Sequence, residues 1–190
     1  MSRSLVYVRE AVAADAELLA DLWADLLRRG DEHDRVADMS YVVTTASDDP
    51  DQRLVVAEYD GHLAGAVHLR LTTITPLNLD ASVQVMSPQV FPEFRRHGVG
   101  RALMDAAVTW AEECGAGHLV AAAPSGSRDG NRFMARLALG PIATFRLAPT
   151  TVVRAKLMAQ RPPVARVPAR QLTHVLAVRR SMRRQSAESV

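Results

Sequence analysis

The chain has one cysteine in 190 residues and one lysine, Lys156, among 23 basic residues. It has no apolar run long enough to cross a bilayer, no amino-terminal signal-peptide pattern, and no tyrosine after Tyr59. Each shortage excludes something. A lone Cys114 cannot close an internal disulfide, so a reducing compartment, the cytoplasm, is expected, and the thiol reads as helix packing rather than a nucleophile. Without a spanning segment no membrane partner is expected, and no metal is expected either. The shortage of lysine points to coding bias rather than to chemistry. The missing tyrosines remove the phenol as a proton donor from everything downstream of Tyr59.

What is present suits one compact domain. An apolar content of 48% over this length can bury a substantial core, and we place a single domain at 1–160 with a tail at 161–190. The tail carries seven arginines against one acid, Glu188, so the body before it is mildly acidic within a total charge of +2. Pro162, Pro163 and Pro168 make a stiff linker, and Ala169 to Arg184 can form a helix presenting Leu172, Val175, Leu176 and Met182. Because apolar residues accompany the arginines, docking in cis or across a homodimer is favoured over a nucleic-acid contact.

The elements can be placed coarsely. Leu5 to Glu10 reads as a strand and Asp15 to Arg29 as an amphipathic helix burying Leu19, Leu22, Trp23, Leu26 and Leu27. Asp31 to Gln52, polar around Val36, Met39, Tyr41 and Val42, is expected to hold a second helix and a mobile loop. Arg53 to Tyr59, the Asp60-Gly61 turn and His62 to Leu71 form a hairpin. Val83 to Val90 is a strand despite Pro88, a residue confined to edges and bulges. Gly100 to Cys114 is a helix with Leu103, Ala106, Ala107, Trp110 and Ala111 at helical spacing, stopped by Gly115-Ala116-Gly117. His118 to Ala123 suits a buried strand, and Ile142 to Leu147 with Thr151 to Met158 are expected to close the body as a hairpin, since Val153, Ala155 and Leu157 alternate with Arg154 and Lys156.

Between strand and helix lies Arg95-Arg96-His97-Gly98-Val99-Gly100-Arg101. A helix entered from a strand leaves its first N–H groups unpaired at the positive end of its dipole, a natural anion site. Glycines allow close approach to the backbone, and arginines surround it with fixed charge. A plain arginine-rich surface turn would contain the same letters. A dinucleotide fingerprint is excluded because the turn lies mid-chain and lacks the first glycine, and a Walker loop because no Gly-Lys-Ser/Thr follows.

With Val90-Phe91-Pro92 leading into Arg95-Arg96-His97-Gly98-Val99-Gly100, the order and spacing resemble the acyl-CoA site of the GNAT N-acetyltransferase superfamily. The resemblance implies an α/β fold of the α+β mixed-sheet kind: a central mixed sheet, a splayed fourth and fifth strand pair admitting pantetheine, and helices on both faces. It implies acetyl-CoA as co-substrate, with the backbone of Gln89 and Val90 pairing with pantetheine amides as an added strand would, and Phe91 beside them. The N–H groups of Arg96, His97, Gly98, Val99, Gly100 and Arg101 would hold the pyrophosphate, with Arg95 completing the motif and Asn131 resembling an asparagine that contacts the cofactor.

Catalysis is where the chain departs from that family. Acetyl transfer needs a deprotonated amine, a polarised carbonyl and a proton for the departing thiolate. Many members supply the proton from a tyrosine in a Tyr-x-x-x-Gly-Phe ending, which here reads Met134-Ala135-Arg136-Leu137-Ala138-Leu139. Ser125 and Ser127 are candidate hydroxyls beside the sulfur, although a turn and helix cap would use the same residues. Glu58 and His68 are candidate bases acting through water, against the plainer readings of a solvated carboxylate and a satisfied histidine. The expected function is acetyl transfer to a primary amine of a small molecule or protein. The alternative is an acyl-CoA-binding sensor or interaction module with little catalysis. Acids around Asp31, Glu32, Asp34 and Asp38 suit a cationic acceptor or merely a solvated helix face.

Overall fold

The computed structural model describes residues 6–28, 30–122 and 126–160. These fall into two units that divide between Ile142 and Ala143. The carboxy-terminal tail expected at 161–190 lies outside the described residues, as does Ser125.

The first unit is built on a five-stranded sheet in the order β1-β2-β3-β4-β5. The strands are β1 (Val6–Glu10), β2 (Gln52–Tyr59), β3 (His62–Thr73), β4 (Ala81–Val90) and β5 (His118–Ala121). The first four pair antiparallel and β5 joins β4 in parallel, giving the mixed sheet. Asp60 and Gly61 take φ of 50° and 78°, both left-handed, as a two-residue hairpin turn requires, and this sets Tyr59 opposite His62.

Helices α1 (Ala16–Leu22), α2 (Glu32–Asp48), α3 (Val99–Glu113) and α4 (Arg128–Arg136) complete this unit. Leu54 to Ala57 and Leu63 to Val67 are buried without alternation because both faces of the sheet are covered. On one face Val55, Ala57, Val67, Leu69, Val83 and Val85 pack against the α3 stripe of Leu103, Met104, Ala107, Trp110 and Ala111. On the other, Leu54, Val56, Leu63 and Ala66 pack with Leu19, Trp23, Met39, Val43 and Ala46 of the α1–α2 region.

Two expectations on this face change. The first helix ends at Leu22 rather than Arg29, leaving Leu26 half exposed. Asp21 and Asp25 stand at its carboxy-terminal end, where the dipole disfavours acids, and no base offsets them there. Conversely, α2 takes up the segment expected to include a mobile loop. Asp31 caps it by accepting from the Asp34 N–H at 2.8 Å, with Glu32 and Asp34 in its first turn.

In the second unit the expected hairpin is absent. Residues 143–149 have no regular structure, and Thr150–Ala159 form α5 instead. Alternation over five residues does not separate strand from helix, and Ala155, Lys156, Leu157 and Met158 are strong helix formers entered from Pro149.

Candidate functional site

The site begins in β4. Ser82 to Val85 run in register with His118 to Ala121 of β5, and the Ala122 N–H reaches the Val85 carbonyl at 3.1 Å. Beyond that point no described residue of β5 pairs with β4. β3 keeps pairing, with Ala66 opposite Gln89 and Gly65 opposite Val90, and the Phe91 N–H bonds the Ala64 carbonyl at 2.9 Å. A bulge interrupts the β3–β4 ladder just past this point. Between the His68–Met86 and Ala66–Gln89 pairs, Val67 alone faces both Ser87 and Pro88. Ser87 takes φ of 50°, and the missing N–H of Pro88 falls where the ladder is already broken.

Two residues outside the predicted site support this bulge. Trp23, buried at the end of α1, donates its indole N–H to the Ser87 carbonyl at 2.8 Å. Gly65 lets β3 approach β4 closely: a Cβ there would lie 2.5 Å from the Gln89 carbonyl oxygen, 3.2 Å from Val90 Cα and 3.1 Å from Val99 Cγ1. A lone glycine inside a strand pattern is the signal that could have found it.

After Val90 the chain passes Phe91 and a 3-10 turn at Pro92–Phe94, then the turn from Arg95 to Gly98, and enters α3. Gly98 is the N-cap at φ of 89°, and no side chain caps the helix. The Ala102 N–H makes the first helical bond to the Gly98 carbonyl at 3.0 Å, so the N–H groups of Val99, Gly100 and Arg101 precede it. No acid stands in the first turn, where Arg101 sits instead. A cation at that end opposes the dipole by roughly 0.3–1 kcal/mol, a frustration that a bound anion removes. Arg95, Arg96 and His97 are exposed around it. Arg95 Nε reaches the Val90 carbonyl at 3.4 Å, His97 Nδ1 donates to the Arg95 carbonyl at 2.9 Å, and the Tyr59 ring supports the turn at 4.8 Å from His97 and 6.0 Å from Phe94.

The candidate catalytic side chains occupy different settings. Glu58 accepts from Arg9 Nε at 2.7 Å, and the same guanidinium grips Asp15 at 2.7 and 2.9 Å. The Arg9 hydrogen bond holds the Asp15 carboxyl below its ordinary value. Ser127 caps α4, its hydroxyl accepting from the Gly130 N–H at 3.1 Å. Asn131 stands in α4, exposed, donating Nδ2–H to the Ser127 carbonyl at 2.8 Å. His68 is half-buried and meets Gln52 at 2.9 Å, with burial first and Arg70 second lowering its pKa.

Met134 is the buried residue of α4, at the place where the resemblance puts a tyrosine. The helix ends in a Schellman turn: the Leu139 N–H bonds the Met134 carbonyl at 3.0 Å and the Ala138 N–H that of Ala135 at 3.1 Å. Ala138 therefore sits at φ of 61°, a conformation that glycine adopts without a Cβ penalty. Ala138→Gly is expected to raise unfolding stability by about 1 kcal/mol, read by urea denaturation. A destabilised variant would show that the Ala138 methyl packs favourably enough to outweigh the strain.

A model of the acetyltransferase (GNAT) family matches residues 16–138. No curated protein matches the chain. Among solved structures, the chain is similar to an aminoglycoside N-acetyltransferase in complex with CoA, at 15% identity and a TM-score of 0.63, covering 77% of this chain and 95% of that one. It is also similar to a ribosomal-protein-alanine N-acetyltransferase from Brucella melitensis biovar Abortus 2308, at 23% identity and 0.58, covering 76% and 99%. A predicted acetyltransferase with acetyl-CoA from Clostridium acetobutylicum matches at 12% identity and 0.61, covering 78% and 98%. At these identities the three likenesses concern the fold.

Proposed function

The chain belongs to the GNAT acetyltransferase family, and from that premise we propose that it transfers acetyl directly from acetyl-CoA to a primary amine of a small molecule or protein. One observation carries the reading: among the described residues β4 has no β5 partner beyond Val85, and the chain then enters an uncapped, arginine-flanked helix. An extended arm ending in a pyrophosphate matches both features. The backbone of Gln89 and Val90 offers peptide groups to the arm as a strand edge does, with Phe91 at its end. The N–H groups from Arg96 to Arg101 receive the pyrophosphate, while the Arg95 guanidinium exchanges the long Val90 contact for a phosphate oxygen. Asn131 serves as a further contact from α4. Bound acetyl-CoA supplies the activated acetyl carbon.

The two named relatives act, by their descriptions, on an aminoglycoside and on a ribosomal-protein alanine, both amine acceptors. That supports the amine class and leaves its size to a panel of acceptors. Among the described residues no helix is long and apolar enough to cross a membrane. Met134 favours a second reading, an acyl-CoA-binding module with slow chemistry, because a thioether cannot protonate a thiolate. If the first reading holds, thiolate protonation falls to solvent.

The test is Gly100→Val. A Cβ at Gly100 would make ordinary contacts with Phe133 Cζ at 3.7 Å and Val90 Cγ2 at 3.8 Å, so the fold has room for it. Branching there crowds the approach to the helix amides, and acetyl-CoA affinity is expected to fall tenfold or more, about 1.4 kcal/mol, by calorimetry at an unchanged melting temperature. Unchanged affinity in the folded variant removes the basis of the reading.

A further inference from the structure

We propose that His68 is the general base for the acceptor amine, held in its reactive tautomer by Gln52 and Asp49; the inference rests on the acetyl-transfer reading above. The hydrogen bonds settle the tautomer by elimination. A carboxylate only accepts, so the 2.6 Å contact between Gln52 and Asp49 must use the Gln52 NH2 group. That turns the Gln52 carbonyl oxygen toward His68, 2.9 Å from its Nε2. An amide oxygen also only accepts, so Nε2 carries the hydrogen and Nδ1 carries the lone pair.

The lone pair is not sealed inside the protein. No described residue bonds Nδ1, yet the described residues include no buried side-chain nitrogen or oxygen without a partner, so Nδ1 reaches solvent. It also lies on the useful face. His68 alternates with Val67 and Leu69, which pack toward α3, so its ring stands on the opposite face of the sheet, where Gln52 also lies. Its partner across the ladder is Met86, the first β4 residue beyond the β5 pairing and itself 39% exposed. Directly paired Cα atoms lie about 5 Å apart, which puts the imidazole one strand in from the stretch of β4 that no described residue of β5 pairs, within reach of an amine there directly or through one water.

The charged groups facing the ring are Arg70 on its own strand and, through Gln52, Asp49 at the end of α2; Gln84 and Met86 on β4 are uncharged. Burial and Arg70 both disfavour imidazolium, keeping the ring a free base at neutral pH. In the reaction Nδ1 takes one proton from the acceptor ammonium and later passes it to solvent. The amine nitrogen bonds the thioester carbonyl carbon and the C–S bond breaks. The sulfur leaves with the bonding pair and gains, through solvent, the second proton shed by nitrogen. His68 is thus a catalytic residue, and Gln52 and Asp49 are positioning residues.

Two measurements test this. Nitrogen-15 NMR of the full chain reads the tautomer, and CoA release from acetyl-CoA is followed against pH with kanamycin, spermidine and an alanine-started peptide as acceptors. The Nε2–H tautomer is expected, with an acid limb below the usual imidazole value. His68→Gln should lower kcat about a hundredfold or more and abolish that limb while acetyl-CoA still binds. Gln52→Glu should move the limb upward, because a carboxylate beside the ring favours imidazolium, a shift that a purely structural glutamine would not produce. An Nδ1–H tautomer, or an acid limb that persists in His68→Gln with acetyl-CoA bound normally, overturns the assignment. Failure of the unsubstituted protein to bind acetyl-CoA overturns the donor-site reading instead.

Discussion

Gly65→Ala is expected to cost about 2–3 kcal/mol of stability and to lower acetyl-CoA affinity tenfold or more. The added Cβ would stand 2.5 Å from the Gln89 carbonyl oxygen, a backbone atom that cannot rotate away. Relief requires β4 to move at Gln89 and Val90, or β3 to withdraw, and Val99 at the start of α3 blocks another direction at 3.1 Å. One methyl therefore disturbs the end of β4 and the start of α3 together. Thermal unfolding and calorimetric titration of acetyl-CoA read the two effects. A variant with wild-type melting and affinity would mean that the β3–β4 approach at Gly65 is easily widened, and the placement of Gln89 would lose its argument.

Arg9→Met is expected to destabilise the fold by about 2–3 kcal/mol, somewhat below the value for a fully buried pair because the Arg9 and Glu58 side chains are each about a quarter exposed. Methionine fills the stem and removes the guanidinium that joins Asp15 to Glu58. Asp15 is buried and, among the described residues, retains only the Val12 N–H bond at 2.8 Å. The pH dependence follows from its depressed pKa. The unfolded chain protonates this carboxyl near its ordinary value of about 4 while the folded one resists, so its stabilisation is fully present above that pH. It is lost as pH falls further, through the folded value. Arg9→Met should flatten that acid limb in urea denaturation between about pH 5 and pH 2. A parallel loss in both proteins would assign acid sensitivity to other carboxylates.

Legibility differed between the hairpin, the turn that opens α3 and the rest for a physical reason. The Asp60-Gly61 turn and the apolar runs beside it are local, because only a few residue types accept two successive left-handed conformations. The Gly98 turn was readable likewise, since its letters lie in one contiguous stretch between a strand and a helix. The expected closing hairpin failed because a strand exists only through a partner, and alternation over Val153 to Leu157 does not supply one. Helix α1 is shorter than its amphipathic pattern because that pattern continues while acids stand uncompensated at its end.

By itself the sequence determined the mixed α/β class, the order of the elements from β1 to α4, the glycine-arginine turn that opens α3 and the lack of a downstream tyrosine. These depend on neighbours in the chain, where spacing and residue type act directly. Only the tertiary structure decided that Val67 faces both Ser87 and Pro88, that Gly65 must be small, that Arg9 engages Glu58, and that Asp49, Gln52 and His68 form one line. Gln52 and His68 come together because β2 and β3 fold back across their turn, and Trp23 meets Ser87 because a helix crosses the sheet. Such contacts depend on register and packing between distant segments, which residue order alone does not encode position by position.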